Sequence, residues 1–99
     1  PQVEKTLYYE KYQIADPSYL NNITLIAGWD ASHASSHGYP TIRYGQVYYY
    51  NEANGFNTNM YETTGGGQFE TEITNDINNC VAFINYTAHG SQTSWADPN

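Results

Sequence analysis

Two short runs of apolar residues, at positions 23–28 and 80–84, constrain the fold of this 99-residue sequence most strongly. The first, Ile-Thr-Leu-Ile-Ala-Gly, is rich in apolar residues without strict alternation, which is typical of a central strand covered on both faces. The second, Cys-Val-Ala-Phe-Ile, is long enough for a buried strand and too short for a helix of its own. The two runs therefore predict the strands of a βαβ unit, which pair in parallel.

The segments around these strands have the periodicity of helices and one further strand. Apolar residues at helical spacing predict an amphipathic helix on the outside of the sheet at the start of the chain and another helix before the second run. Pro40 suits the first turn of a helix, and Gly55 is suited to end it. The predicted elements are a helix at 2–12, a loop at 29–39, a helix at 41–54, a short strand at 56–62 and a helix at 68–78. This order predicts an α/β fold.

Charge and composition exclude several classes of partner. Three basic and ten acidic residues give a net charge of −7, which disfavours nucleic acid and leaves no basic patch for an anionic membrane. No apolar run approaches the roughly 20 residues of a membrane span, and no signal peptide begins the sequence, so we expect any targeting segment to lie outside these 99 residues. Pro1 is not a natural start, so we expect the sequence to be part of a longer one. Cys80 is the single cysteine and is expected to be a buried structural thiol.

Asp30 and His89 each follow one of the predicted strands. Because parallel strands end at the same edge of a sheet, these two side chains are expected to approach each other there. A carboxylate bonded to one ring nitrogen fixes the histidine tautomer and stabilises the imidazolium that forms when the other nitrogen takes a proton. The spacing alone also fits an ordinary loop histidine, and both interpretations stay open on this evidence.

No nucleophile accompanies this pair in the sequence. Cys80 precedes His89 along one extended segment and is expected at the far end of the strand. Ser91 lies too close to His89 on the same loop for good attack geometry. His33 and His37 have the spacing of metal ligands on a helix, but their Ala, Ser and Gly surroundings favour an exposed loop. We therefore expect no metal and no cofactor.

The segment around His89 resembles a known family. It is similar to the catalytic histidine segment of the gingipains, which are secreted cysteine endopeptidases of the caspase-like clan, and most of all to the lysine-specific gingipains. The resemblance continues backwards through the first strand, Asp30 and the following helix, whereas positions 56–79 follow the family poorly. The matching residues are 25–28, Asp30, 40–42, Tyr44, Gly45, 48–51, 85–91, Thr93, Trp95, Ala96, Asp97 and Pro98.

This resemblance implies roles for individual residues. His89 matches the general base, Asp30 the acid that orients it, and the Gly90 N–H part of the oxyanion hole. Thr87 matches a residue beside the pocket for a basic substrate side chain, and Trp95 is expected to bind substrate as well. In the family the nucleophilic cysteine ends the next strand, so the sequence ends before the segment that would carry it.

The resemblance also implies the domain to which the chain belongs, its partners and its localisation. Residues 1–99 are expected to form part of a three-layer caspase-like catalytic domain with a mainly parallel sheet and flanking helices. Expected partners are protein or peptide substrates and the rest of that domain, in a secreted or cell-surface bacterial protein. An open sheet edge predicts self-association. The alternatives are a non-catalytic relative used for binding or assembly, and a metal- or carbohydrate-binding fragment that uses His33, His37 or the tyrosines.

Overall fold

The computed structural model describes residues 1–11, 13–95 and 97. Tyr12, Ala96 and Pro98, which the sequence analysis placed in a helix end and in the family motif, lie outside the described residues, as does Asn99. The helices and strands follow one another in the predicted order. They are α1 (Gln2–Glu10), β1 (Asn22–Ala27), α2 (Tyr39–Tyr48), β2 (Asn57–Glu62), α3 (Glu70–Asn78) and β3 (Phe83–Thr87).

The three strands form a parallel sheet in the order β2–β1–β3. β1 is the central strand, as its apolar composition predicts. At its carboxyl end Ala27 lies opposite Glu62 of β2 and Thr87 of β3. The residues that follow the three strands consequently share one edge of the sheet, which is where the side chains of Asp30 and His89 were expected.

Alternate residues of β1 face opposite helices. Ile23, Leu25 and Ala27 are buried in a cluster with Ile42 of α2. On the other face the buried hydroxyl of Thr24 donates a hydrogen bond of 3.0 Å to Asp76 of α3. Because successive side chains of a strand point to opposite faces, α2 and α3 cover the two sides of the sheet. The fold is thus an α/β fold with a parallel sheet flanked by helices, as predicted.

β3 begins later than the sequence predicts, and Cys80 is not buried. The predicted strand at 80–84 is observed at Phe83–Thr87. The N–H of Cys80 donates instead to the carbonyl of Ile77, and Cys80 has a φ of +67°, so it belongs to the turn that leaves α3. The expectation of a buried structural thiol was wrong, since Cys80 is an exposed free cysteine.

The segment between β1 and β2 also differs from the prediction at both of its ends. The expected loop at 29–39 contains a π-helical turn at Ala34–Gly38 that continues directly into α2. The helix expected to reach position 54 ends at Tyr48, and a short 3₁₀ helix follows at Glu52–Asn54. The Asn51 side chain explains this break, because it donates to the carbonyl of Val47 and accepts from the N–H of Asn54.

α1 adds nothing to the buried core. None of its residues is buried, and its apolar side chains remain largely exposed, with Val3 at 70%. Across residues 1–11, 13–95 and 97, no helix combines the length and the apolar character needed to span a membrane.

Candidate active site

Asp30 is held in place by the chain that follows it. One carboxylate oxygen, Oδ1, accepts hydrogen bonds from the backbone N–H groups of Ser32 (2.7 Å) and His33 (2.6 Å). An aspartate that bonds the backbone two and three residues ahead stabilises a turn, and here the turn leads into the π-helical turn before α2. The other oxygen, Oδ2, is left to face the loop after β3.

His89 lies on that loop and contacts Asp30. Its ring nitrogen Nε2 is hydrogen-bonded to Asp30 Oδ2, so the two residues come together as the strand order predicts. The imidazole is accessible, with 69% of its side chain exposed, whereas the side chain of Asp30 is only 16% exposed. The histidine can therefore reach a substrate while its carboxylate partner stays largely covered.

The carboxyl pKa of Asp30 is lowered from 3.8 to about 2. The hydrogen bond with His89 is the largest cause, followed by the backbone N–H groups of Ser32 and His33. All three stabilise the ionised form. Asp30 is thus a carboxylate throughout the neutral pH range and can stabilise positive charge on the His89 ring.

A shallow pocket of about 220 Å³ opens beside this pair. Thr87, at the end of β3, lines it together with Asp30 and His89. The Thr87 hydroxyl donates to the side chain of Asn85 (2.9 Å), which orients it at the pocket wall. The position of Thr87 beside His89 is compatible with contact to a bound substrate.

Gly90 and Trp95 pair with each other in the loop that follows. They form an isolated antiparallel bridge, and Ser91 N–H donates to the carbonyl of Ser94 (2.7 Å). The Trp95 ring stacks on Tyr86 of β3, with centroids 4.3 Å apart and planes at 5°. The roles of Gly90 in an oxyanion hole and of Trp95 in substrate binding remain predictions.

The two other histidines, His33 and His37, line the same pocket at the π-helical turn before α2. His33 donates from Nδ1 to Asp30 Oδ1 at 3.2 Å, so it shares the carboxylate with His89. The ring centroids of His33 and His37 are 5.5 Å apart. Among the described residues, no group of three or more His, Cys, Asp or Glu side chains has a geometry that could hold a metal ion.

Sequence reasoning missed two residues that hold the site together. Asp97 accepts hydrogen bonds from Trp29 N–H (2.9 Å) and from the Thr63 hydroxyl, and Tyr86 donates from its own hydroxyl to the carbonyl of His89 (2.5 Å). Asp97 belongs to the family motif, but its partners lie far away in the sequence. No local pattern could have identified them.

The fold and the side chains at the carboxyl edge of the sheet indicate a general class of protein. A parallel α/β sheet that presents a histidine and a carboxylate from neighbouring strands is a scaffold for acid–base chemistry. Comparison then identifies the family. The family model described as peptidase family C25 matches residues 1–99, so the chain belongs to peptidase family C25.

Similar proteins come from Porphyromonas gingivalis. Lys-gingipain W83 is 47% identical over 96 residues, which cover 97% of this chain and 5% of that protein. Lys-gingipain and Lys-gingipain 381 are each 43% identical over 97 residues, or 98% of this chain and 6% of theirs. The chain therefore spans a small part of the length of these relatives. No solved structure matches it significantly.

Proposed function

We propose that this chain supplies the general base and its orienting acid to a cysteine endopeptidase. The observation that carries the proposal is the hydrogen bond between Asp30 Oδ2 and His89 Nε2 at the carboxyl edge of the sheet. Membership of peptidase family C25 supports the reaction class. Residues 1–99 would then form part of a catalytic domain whose nucleophilic cysteine lies in another segment, since Cys80 sits in the turn after α3.

The geometry supports a different role for each ring nitrogen of His89. Nε2 is bonded to Asp30, so Nδ1 takes the proton of the attacking thiol. The thiolate adds to the scissile carbonyl carbon, and backbone donors including the Gly90 N–H stabilise the oxyanion. The imidazolium then gives its proton to the leaving amine, and water hydrolyses the thioester that remains. Asp30 stabilises the imidazolium throughout.

A basic residue before the scissile bond is the substrate that we propose. Relatives with 43–47% identity carry the name Lys-gingipain, and the pocket wall contains Thr87 next to His89. The net charge of −7 attracts cationic segments of a substrate. Cleavage after Lys or Arg is therefore expected to exceed cleavage after neutral residues, in a secreted or cell-surface bacterial protein.

The test is peptide hydrolysis by the full-length protein. Fluorogenic peptides with Lys, Arg or Ala before the reporter should be cleaved in the first two cases, and His89→Ala should abolish turnover. His37→Ala is the matched control, because His37 lines the same pocket but its ring contacts Ser36. Loss of activity in both variants alike, or an active His89→Ala variant, would remove His89 from the proposed role.

The same experiment separates the peptidase from a non-catalytic relative. A wild-type protein that cleaves none of the peptides and is not labelled by a thiol-directed peptide inhibitor would support a binding or assembly module. The isolated 99-residue chain is expected to be inactive even when the full-length protein is active, since the thiol comes from elsewhere.

A further inference from the structure

We infer that Asp97 is a positioning residue for His89. Its carboxylate ties the end of the loop that carries His89 to the segment that carries Asp30, so the two side chains meet only while this tie is in place. The inference rests on the proposed peptidase function and assigns a new residue to the same site.

The Asp97 carboxylate joins three separate segments at the carboxyl edge of the sheet. Oδ2 accepts from the N–H of Trp29, the residue immediately before Asp30, at 2.9 Å. It also accepts from the hydroxyl of Thr63, which is fully buried just after β2. Oδ1 accepts from the N–H of Gly67 at 3.4 Å. A single side chain thereby connects the ends of all three strands, since its own loop follows β3.

Tyr86 brings the two ends of the His89 loop together. Its hydroxyl donates to the carbonyl of His89 at 2.5 Å and lies 3.5 Å from the N–H of Asp97, which donates to it. The bridge between Gly90 and Trp95 gives the intervening loop its shape but lies within the loop itself. Asp97 adds the connection to the neighbouring strand, through Trp29.

Gly28 shows how closely the loop is drawn onto β1. A Cβ at this position would overlap the carbonyl oxygen of Asp97 and would lie 2.6 Å from the Cβ of Ala88. Ala88 directly precedes His89, so the loop contacts the backbone of Gly28 at its beginning and at its end. Because the loop packs so closely on β1, a small shift of the loop would separate His89 from Asp30.

The ionised form of Asp97 suits this role. Partial burial raises its pKa, but hydrogen bonds from Thr63, Trp29 and Gly67 outweigh this, and the pKa lies below its ordinary value of 3.8. A carboxylate only accepts hydrogen bonds, so it can serve all three donors at once. An asparagine of the same shape would direct an NH₂ group at one of these donors.

The test compares Asp97→Asn with Asp76→Asn in the full-length protein. Asp76 is an equally well-bonded carboxylate, with donors from Thr24 (3.0 Å), Asn59 (2.8 Å) and Tyr61 (2.9 Å), but it lies on α3. We expect Asp97→Asn to lower kcat by about tenfold to 100-fold with KM nearly unchanged, as for a displaced catalytic group. Asp76→Asn should lower thermal stability and leave kcat near the wild-type value. Equal kcat in Asp97→Asn and wild type would overturn the inference.

A second variant keeps the inference testable if Asp97→Asn folds poorly. Thr63→Val removes one donor to the same carboxylate and preserves the shape of a buried side chain. It should lower kcat by less than Asp97→Asn, and the double variant should be no slower than Asp97→Asn alone, because both changes act through one interaction. A kcat unaffected by Thr63→Val, or fully additive losses, would contradict the inference.

Amide hydrogen exchange separates this inference from the peptidase proposal. Exchange in residues 88–95 and at Trp29 should be faster in Asp97→Asn than in wild type and unchanged in Asp76→Asn. A wild-type protein without peptidase activity would contradict the proposed function, whereas unchanged exchange in Asp97→Asn would contradict the positioning role, whatever the activity.

Discussion

His89 Nε2 is hydrogen-bonded to Oδ2 of Asp30, although the two residues are 59 positions apart in the chain. The contact arises because β1 and β3 are neighbours in a parallel sheet and end at the same level, with Ala27 opposite Thr87. Most of the expectations below follow from this contact and from the groups that hold its two partners.

Asp30→Asn in the full-length protein should lower kcat for basic fluorogenic peptides by about 10²-fold to 10⁴-fold, because the histidine loses the anion that orients it and stabilises its charged form. KM should change much less, since Asp30 is largely covered by protein. Steady-state kinetics of the purified variant would measure both constants. A kcat within about threefold of wild type would exclude Asp30 from the catalytic pair.

The lowered pKa of Asp30 predicts a pH window for its contribution to stability. Folding lowers this pKa from 3.8 to about 2, so the stability gained is fully present above about pH 4 and is lost as the pH falls towards 2. The difference in unfolding free energy between wild type and Asp30→Asn should therefore shrink as the pH falls from about 4 to 2. Urea unfolding at closely spaced pH values would reveal it, and a difference that grows on acidification would have the wrong sign.

His33→Asn should have a small effect on the rate despite its contact with the same carboxylate. The His33 ring is 66% exposed and 3.2 Å from Oδ1, which keeps its two shorter backbone donors in the variant. We expect kcat within about threefold of wild type, as is usual when an exposed polar contact is lost. A loss as large as that of Asp30→Asn would assign His33 a direct part in the reaction.

Gly28→Ala should destabilise the fold and reduce activity together. The added methyl group would overlap the carbonyl of Asp97 and approach the Cβ of Ala88, so the loop must move away from β1. Overpacking of this kind costs about 1–3 kcal/mol. The unfolding midpoint and kcat should both fall, with Gly45→Ala as a comparison at a glycine of α2 where the added atom would lie no closer than 3.7 Å to the ring of Tyr50. A stable, fully active Gly28→Ala protein would show that the loop is not held closely.

Most of the helices and strands could be predicted because their patterns are local. The apolar run at 23–28 indicated a central strand, and the stripe of Phe69, Ile73 and Ile77 indicated α3. The errors fell at the ends of elements: the side chain of Asn51 ended α2 early, and a backbone turn at Cys80 delayed β3. Patterns of apolar and polar residues along a short stretch of sequence do not reveal such individual hydrogen bonds.

The amino-acid sequence by itself determined the order of elements, the parallel sheet and the two residues that emerge from its carboxyl edge, because periodicity and strand direction are properties of the chain. Only the tertiary structure decided that His33 shares the carboxylate of Asp30 and that Asp97 joins Trp29, Thr63 and Gly67. These contacts depend on the register of the strands and on loop conformations. Such hydrogen bonds form between groups that folding alone brings within about 3 Å of each other.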